Sequence, residues 1–145
     1  MRHNQNPWQS YRQAATKTAP PGQLVLMLFD GALRFLDRAL IGFDLEDPLE
    51  SNLAINNNII KAQDIIRELN ASLNMELGGD FSSTMRRLYH FYDSQLSKSN
   101  LQKDPAGVQL VIRLLTEIRN AWAEMLSNRS THPVDRQADL QLQAA

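Results

Sequence analysis

The sequence predicts an all-α protein built as an antiparallel four-helix bundle. Three observations predict it. Apolar residues recur three and four positions apart in four long stretches, the spacing that lines up one face of a helix. Short segments containing Pro, Gly or Asp separate those stretches, so successive helices become antiparallel neighbours. No stretch shows the two-residue alternation of a half-buried strand.

Residues 1–19 are polar and irregular, with Trp8 and Tyr11 as the large apolar groups. They are expected to form a mobile arm with a short helix around 8–17. Thr18–Gly22 (TAPPG) then gives a breaker and a helix start, because a proline in the first turn loses no hydrogen bond. The first bundle helix is expected over 21–43. Asp47, Pro48 and Glu50 fit the N-cap, N1 and N3 positions of the second, expected over 48–76. Its seam is Ile55, Ile59, Ala62, Ile66, Leu69 and Leu73, and Leu77–Asp80 (LGGD) should end it with a left-handed glycine. A third helix is expected over 80–99, with Phe81, Met85, Leu88, Tyr92 and Leu96 on one side. Asp104-Pro105 repeats the cap-and-proline start, and a fourth helix is expected over 105–127. Its seam is Val108, Val111, Leu115, Ile118, Trp122 and Met125. The organisation is therefore an arm (1–19), a bundle (20–127) and a disordered polar tail (128–145).

Composition narrows the function classes. The chain has 145 residues, enough for one sizeable core. A formal net charge of −1 gives no general attraction to nucleic acid or anionic membranes. The longest apolar run, Leu24–Phe29, is far shorter than the roughly 20 residues of a membrane span. The start of the chain lacks the apolar core of a signal peptide. With no cysteine there is no disulfide framework and no thiolate metal site, and a cytoplasmic location is expected.

Catalytic and metal chemistry find little to stand on. The histidines are His3, His90 and His132, and no Glu-x-x-His pair exists to build a di-metal bundle. His90 lies off the third seam and reads as a solvated helix residue. Arg86–His90 (RRLYH) is too common a pattern to indicate a helical nuclease. The acidic cluster Asp44, Glu46, Asp47 and Glu50 lacks calcium-loop spacing and is explained by capping. No enzyme, no cofactor and no metal site is expected.

The apolar surface is more informative. Leu24–Phe29 is apolar all round one turn and more, although a bundle helix needs only a stripe. Met27 lies among Asp30, Arg34, Asp37 and Arg38 on the polar side of that helix. On the second helix Leu49, Leu53 and Ile60 share the side opposite the seam, mixed with Asn56, Asp64 and Arg67. Such a stripe suits an outer groove that takes an amphipathic helix, from the arm, a second copy or a partner.

Several segments together are specific enough to suggest relatives. Tyr11–Gln13 (YRQ), Thr18–Ala39 (TAPPGQLVLMLFDGALRFLDRA), Lys61–Asp80 (KAQDIIRELNASLNMELGGD), Leu88-Tyr89 and Leu114–Trp122 (LLTEIRNAW) resemble the flagellar secretion chaperone family, FliS. The family often has Ser-Pro-Glu where Pro20-Pro21-Gly22 stands, and Tyr in place of Phe29. The resemblance implies a cytoplasmic helical bundle that binds the disordered C-terminal region of flagellin, which wraps around it as short helices. It implies protection from premature polymerisation and delivery to the type III export gate. It also implies an arm, around Tyr11, that covers part of the client surface in the free chaperone. Tyr11 and Gln13 are accordingly candidate arm contacts. Met27, Leu49, Leu53 and Ile60 are candidate client contacts, with Asn56 and Asn57 as polar positions for client backbone ends. Asp30 joins them as either a polar bond near Gly31 or a solvated charge. A regulator or co-chaperone and a homodimer are the further partners to consider, with no nucleic acid and no membrane insertion.

Overall fold

The computed structural model describes residues 21–131, which form four helices: α1 (Pro21–Phe43), α2 (Pro48–Ala71), α3 (Met75–Gln102) and α4 (Ala106–Thr131). The expected arm, its short helix and the tail beyond 131 lie outside the described residues. Neighbouring helices run antiparallel. Gly42 meets Ala54 while Gly31 meets Ile65, so α1 and α2 pass in opposite directions. Gln63 bonds Ser97 while Asn70 bonds His90, which sets α2 against α3 the same way. The ring closes where α4 returns beside α1, with Trp122 bonded to Gly22 and Arg119 to Asp30.

Local chemistry explains the helix starts. The Asp47 carboxylate accepts from the Glu50 N–H at 2.9 Å, and Pro48 opens α2. Asp104 caps α4 by accepting from the Ala106 N–H at 2.9 Å. The boundary between α2 and α3 falls earlier than the sequence pattern indicates. α2 ends at Ala71, not 76, because Asn74 caps a new helix by accepting from the Glu76 and Leu77 N–H groups. Gly79 does adopt positive φ (φ 51, ψ −125), but four residues inside α3, where it breaks the helix after its first turn. α3 also runs past 99 to Gln102, and Lys103 takes the left-handed position. α4 continues to Thr131, four residues beyond the expected 127.

The core follows the predicted seams closely. All six seam residues of α2 are buried, as are Val108, Val111, Leu115 and Trp122 of α4. In α3 the buried aromatic beside Tyr92 is Tyr89, while Leu88 is half-buried. The apolar run of α1 is partly covered: Val25, Leu28 and Phe29 are buried and Leu24, Leu26 and Met27 half-buried.

Helices α3 and α4 approach closely at Gly107. A Cβ there would lie 2.6 Å from the Gln95 carbonyl oxygen and 2.9 Å from the Ser99 Cβ. The Gln95 carbonyl is helix backbone and cannot turn away, so the helices must separate. Gly107→Ala is expected to destabilise the fold by about 1–3 kcal/mol despite alanine's better helix propensity, read by thermal or urea unfolding.

Burial raises the Tyr89 phenol above its ordinary range, with Tyr92 adding to it. Tyr92 is pushed up to about 12, first by burial and then by Glu117. Above pH about 10 the unfolded chain loses these protons while the folded chain keeps them. The folded state then binds more protons, so stability, intact below that pH, falls as pH rises toward about 12. Unfolding titrations from pH 9 to 12 should show this fall, and Tyr92→Phe should make it shallower.

Candidate functional site

Among the described residues, an apolar concavity lies at the end of the bundle where α1 and α3 begin and α2 and α4 finish. It is a groove of about 290 Å³. Val25 and Phe29, one turn apart on α1, form one wall. Ile118, Trp122 and Met125 of α4 form the second, and Phe81, Met85 and Tyr89 of α3 the third. Leu73, just past α2, closes the floor. Trp122 holds these walls together. Its ring stacks on Phe81 (centroids 6.4 Å, 25°) and meets Phe29 edge-on (6.4 Å, 68°). Its Nε1–H donates to the Gly22 carbonyl at 2.9 Å, so the indole's polar atom is satisfied and its apolar body faces the groove. Met75 and Leu77 are exposed on the single turn before Gly79.

A second apolar surface is the outer stripe of α2. Leu49 is 67% exposed, Leu53 51% and Ile60 42%, so none of the three belongs to the core. Exposed Ile41, Leu45 and Leu101 extend the apolar surface over the end opposite the groove. Asn57 is exposed on the same helix, whereas Asn56 is half-buried and accepts from the Asn100 amide at 2.9 Å. Met27 is half-buried on α1. Asp30 is neither bonded near Gly31 nor free in solvent. It forms a two-pronged pair with Arg119, whose Nε donates to Oδ1 at 2.7 Å and Nη2 to Oδ2 at 3.4 Å. That bond is the main reason the Arg119 pKa is raised. Tyr11 and Gln13 lie outside the described residues.

Polar groups elsewhere are used by the helix seams. Gln63, buried on α2, donates to the Asp93 carbonyl and the Ser97 hydroxyl. Arg67 faces the Asp93 carboxylate at 3.1 Å. His90 is exposed, as its position off the seam indicates, but its Nε2 bonds Asn70 at 3.2 Å, and Arg86 bonds the same amide. Among the described residues no three histidine or carboxylate side chains come together to hold a metal ion. No described helix is long and apolar enough to cross a membrane. The site offers apolar area rather than reactive groups, which is what a binding surface requires.

The model of the flagellar protein FliS family matches residues 4–129. The chain belongs to the FliS family. Among its relatives is the flagellar secretion chaperone FliS of Bacillus subtilis, 34% identical over 124 residues that cover 86% of this chain and 89% of that protein. The protein of the same name from Salmonella typhimurium is 33% identical over 114 residues, covering 78% and 82%. The Escherichia coli protein is 32% identical over 119 residues, covering 81% and 85%. The family resemblance carried by the sequence segments is thus borne out, and with it the four-helix bundle of a FliS-type chaperone.

The outer stripe and the core of α2 should separate by mutation. Ile60→Asp is expected to leave unfolding within about 0.5 kcal/mol of the parent, as surface changes usually do. Ile59→Asp, which buries an unpaired carboxylate beside a fully buried seam, should abolish cooperative folding. Circular dichroism melts of the two variants make the comparison.

Proposed function

We propose that the protein is a cytosolic export chaperone for flagellin. It holds the disordered C-terminal region of flagellin, keeps it from polymerising early and hands it to the flagellar type III export apparatus. The observation that carries this reading is the open groove walled by Phe29, Met85, Ile118 and Trp122 in a chain of the FliS family. An apolar helical segment of the client, costly to leave in water, gains about 25 cal/mol per Å² buried. It offsets the ordering of a disordered chain, about 2–5 kcal/mol or more, by covering a large surface. The groove and the outer stripe of α2 therefore serve successive client segments. Met85 and Met125 let the groove adapt to more than one apolar side chain. An arm docked through Tyr11 and Gln13 competes for this surface and lowers apparent affinity by the fraction of time it is bound.

A second reading, self-association, draws on exposed Ile41, Leu45, Leu49, Leu53 and Leu101 at one end of the bundle. Calorimetric titration with a flagellin C-terminal peptide separates the two, with an N-terminal peptide as control. Saturable binding of the C-terminal peptide alone, with a clearly negative heat-capacity change, is expected. Ile118→Asp and Ile60→Asp should each weaken it by about tenfold or more, ~1.4 kcal/mol. No binding at tens of micromolar, together with mass that rises with protein concentration, would replace the chaperone reading with self-association.

A further inference from the structure

We propose that Asp30 and Arg119 are positioning residues for the groove: their paired contact sets the spacing of α1 and α4 and so the edge-on packing of Phe29 against Trp122 in its wall. The proposal rests on the reading that the groove is the binding surface. Each partner sits next to groove-lining residues. Asp30 directly follows Phe29, and Arg119 lies between Ile118 and Trp122. The pair therefore joins the two helices at the rim of the wall they share.

The geometry fits positioning better than stabilisation. Both partners are about one-third exposed, a setting in which an ion pair adds little to stability. What the planar guanidinium adds is direction. Two donors, Nε and Nη2, meet the two carboxylate oxygens, which fixes distance and rotation together. Arg119 Nη1 also donates to Asn120, which restrains the fork. Helix α1 needs such a guide on this side. Against α2 it is placed by glycines at close approach, Gly31 and Gly42. Against α4 the contact includes large rings, Phe29 meeting Trp122 edge-on. The Trp122–Gly22 hydrogen bond holds the outer end of the wall, and the ion pair holds it two turns further along α1.

Three full-length variants test the proposal: Arg119→Lys, which keeps the charge and loses the fork; Asp30→Asn; and the swap of Asp30→Arg with Arg119→Asp. Each is measured for thermal unfolding, for affinity toward the flagellin C-terminal peptide, and for the fluorine resonance of Trp122 after 5-fluorotryptophan labelling. The chain has two tryptophans, so Trp8→Phe identifies the Trp122 signal. Arg119→Lys is expected to move the Trp122 resonance and weaken the peptide several-fold while the melting temperature changes by only a few degrees. The swap should recover most of both. The proposal is overturned if Arg119→Lys moves neither readout, if the swap recovers nothing, or if every loss simply tracks the melting temperature. Should the parent protein bind no peptide, the chaperone reading falls. The Trp122 shift and its recovery in the swap still decide whether the pair sets the wall.

Discussion

The close antiparallel passage of α1 and α2 is the constraint on which the other contacts depend. At Gly42 a Cβ would stand 3.0 Å from that of Ala54 and 3.1 Å from the Ile55 nitrogen, and at Gly31 it would meet Ile65 at 3.3 Å. Small residues let the two backbones approach, and Ala32, Leu36, Ala39, Ile59, Ala62 and Ile66 fill the seam between them. Ser51, donating to the Gly42 carbonyl at 2.8 Å, ties the turn end of this hairpin. The pair presents two apolar edges, and neither is covered by the other helix. α3 and α4 exist in the fold because those edges must be buried.

Apolar packing alone does not say which helix covers which edge. Polar contacts supply that information. The α2–α3 seam carries Asn56 with Asn100, Gln63 with Ser97, Arg67 with Asp93 and Asn70 with His90, a set that one register satisfies. Shifting α3 along α2 would leave Gln63, nearly fully buried, without its partners. The α1–α4 seam carries the Trp122 and Arg119 contacts instead. The order of helices around the bundle is thus written in side chains that contribute modestly to stability and strongly to uniqueness.

The sequence made the helices legible because their signals are local. Asp47-Pro48 and Asp104-Pro105 cap what their chemistry says they cap, and the predicted α2 seam and four of the six α4 seam residues became core, with Ile118 and Met125 half-buried. The α2–α3 boundary departs from the pattern for a local reason too. Met75 and Leu77 continue the apolar pattern of α2, so Asn74 does not stand out as a cap, and Gly78-Gly79 draws the eye as a stop. The exposed stripe of Leu49, Leu53 and Ile60 was visible on a helical wheel because it concerns one helix. The groove was not, because its walls come from residues as far apart as Val25 and Met125. The partner of Asp30 lies 89 positions away, and no local rule could have named Arg119.

The groove also explains a tension in the fold. A bundle selected only for stability would fill about 290 Å³ of apolar space with its own side chains, since lining atoms without neighbours forfeit dispersion contacts. Here the space lies at the end where α3 breaks at Gly79, which leaves only one helical turn, Met75–Gly78, above Phe81. The break at Gly79 sets the exposed Met75 and Leu77 apart from the rest of α3. The core below is closed by Leu36, Ile59, Leu96 and Leu115, all fully buried, so the opening costs little of the central packing. At the end bounded by Trp122 the rings of Phe29 and Phe81 lean on one indole. The frame is thus closed by fully buried side chains at its centre, while the concavity at the Trp122 end is lined by apolar and aromatic groups.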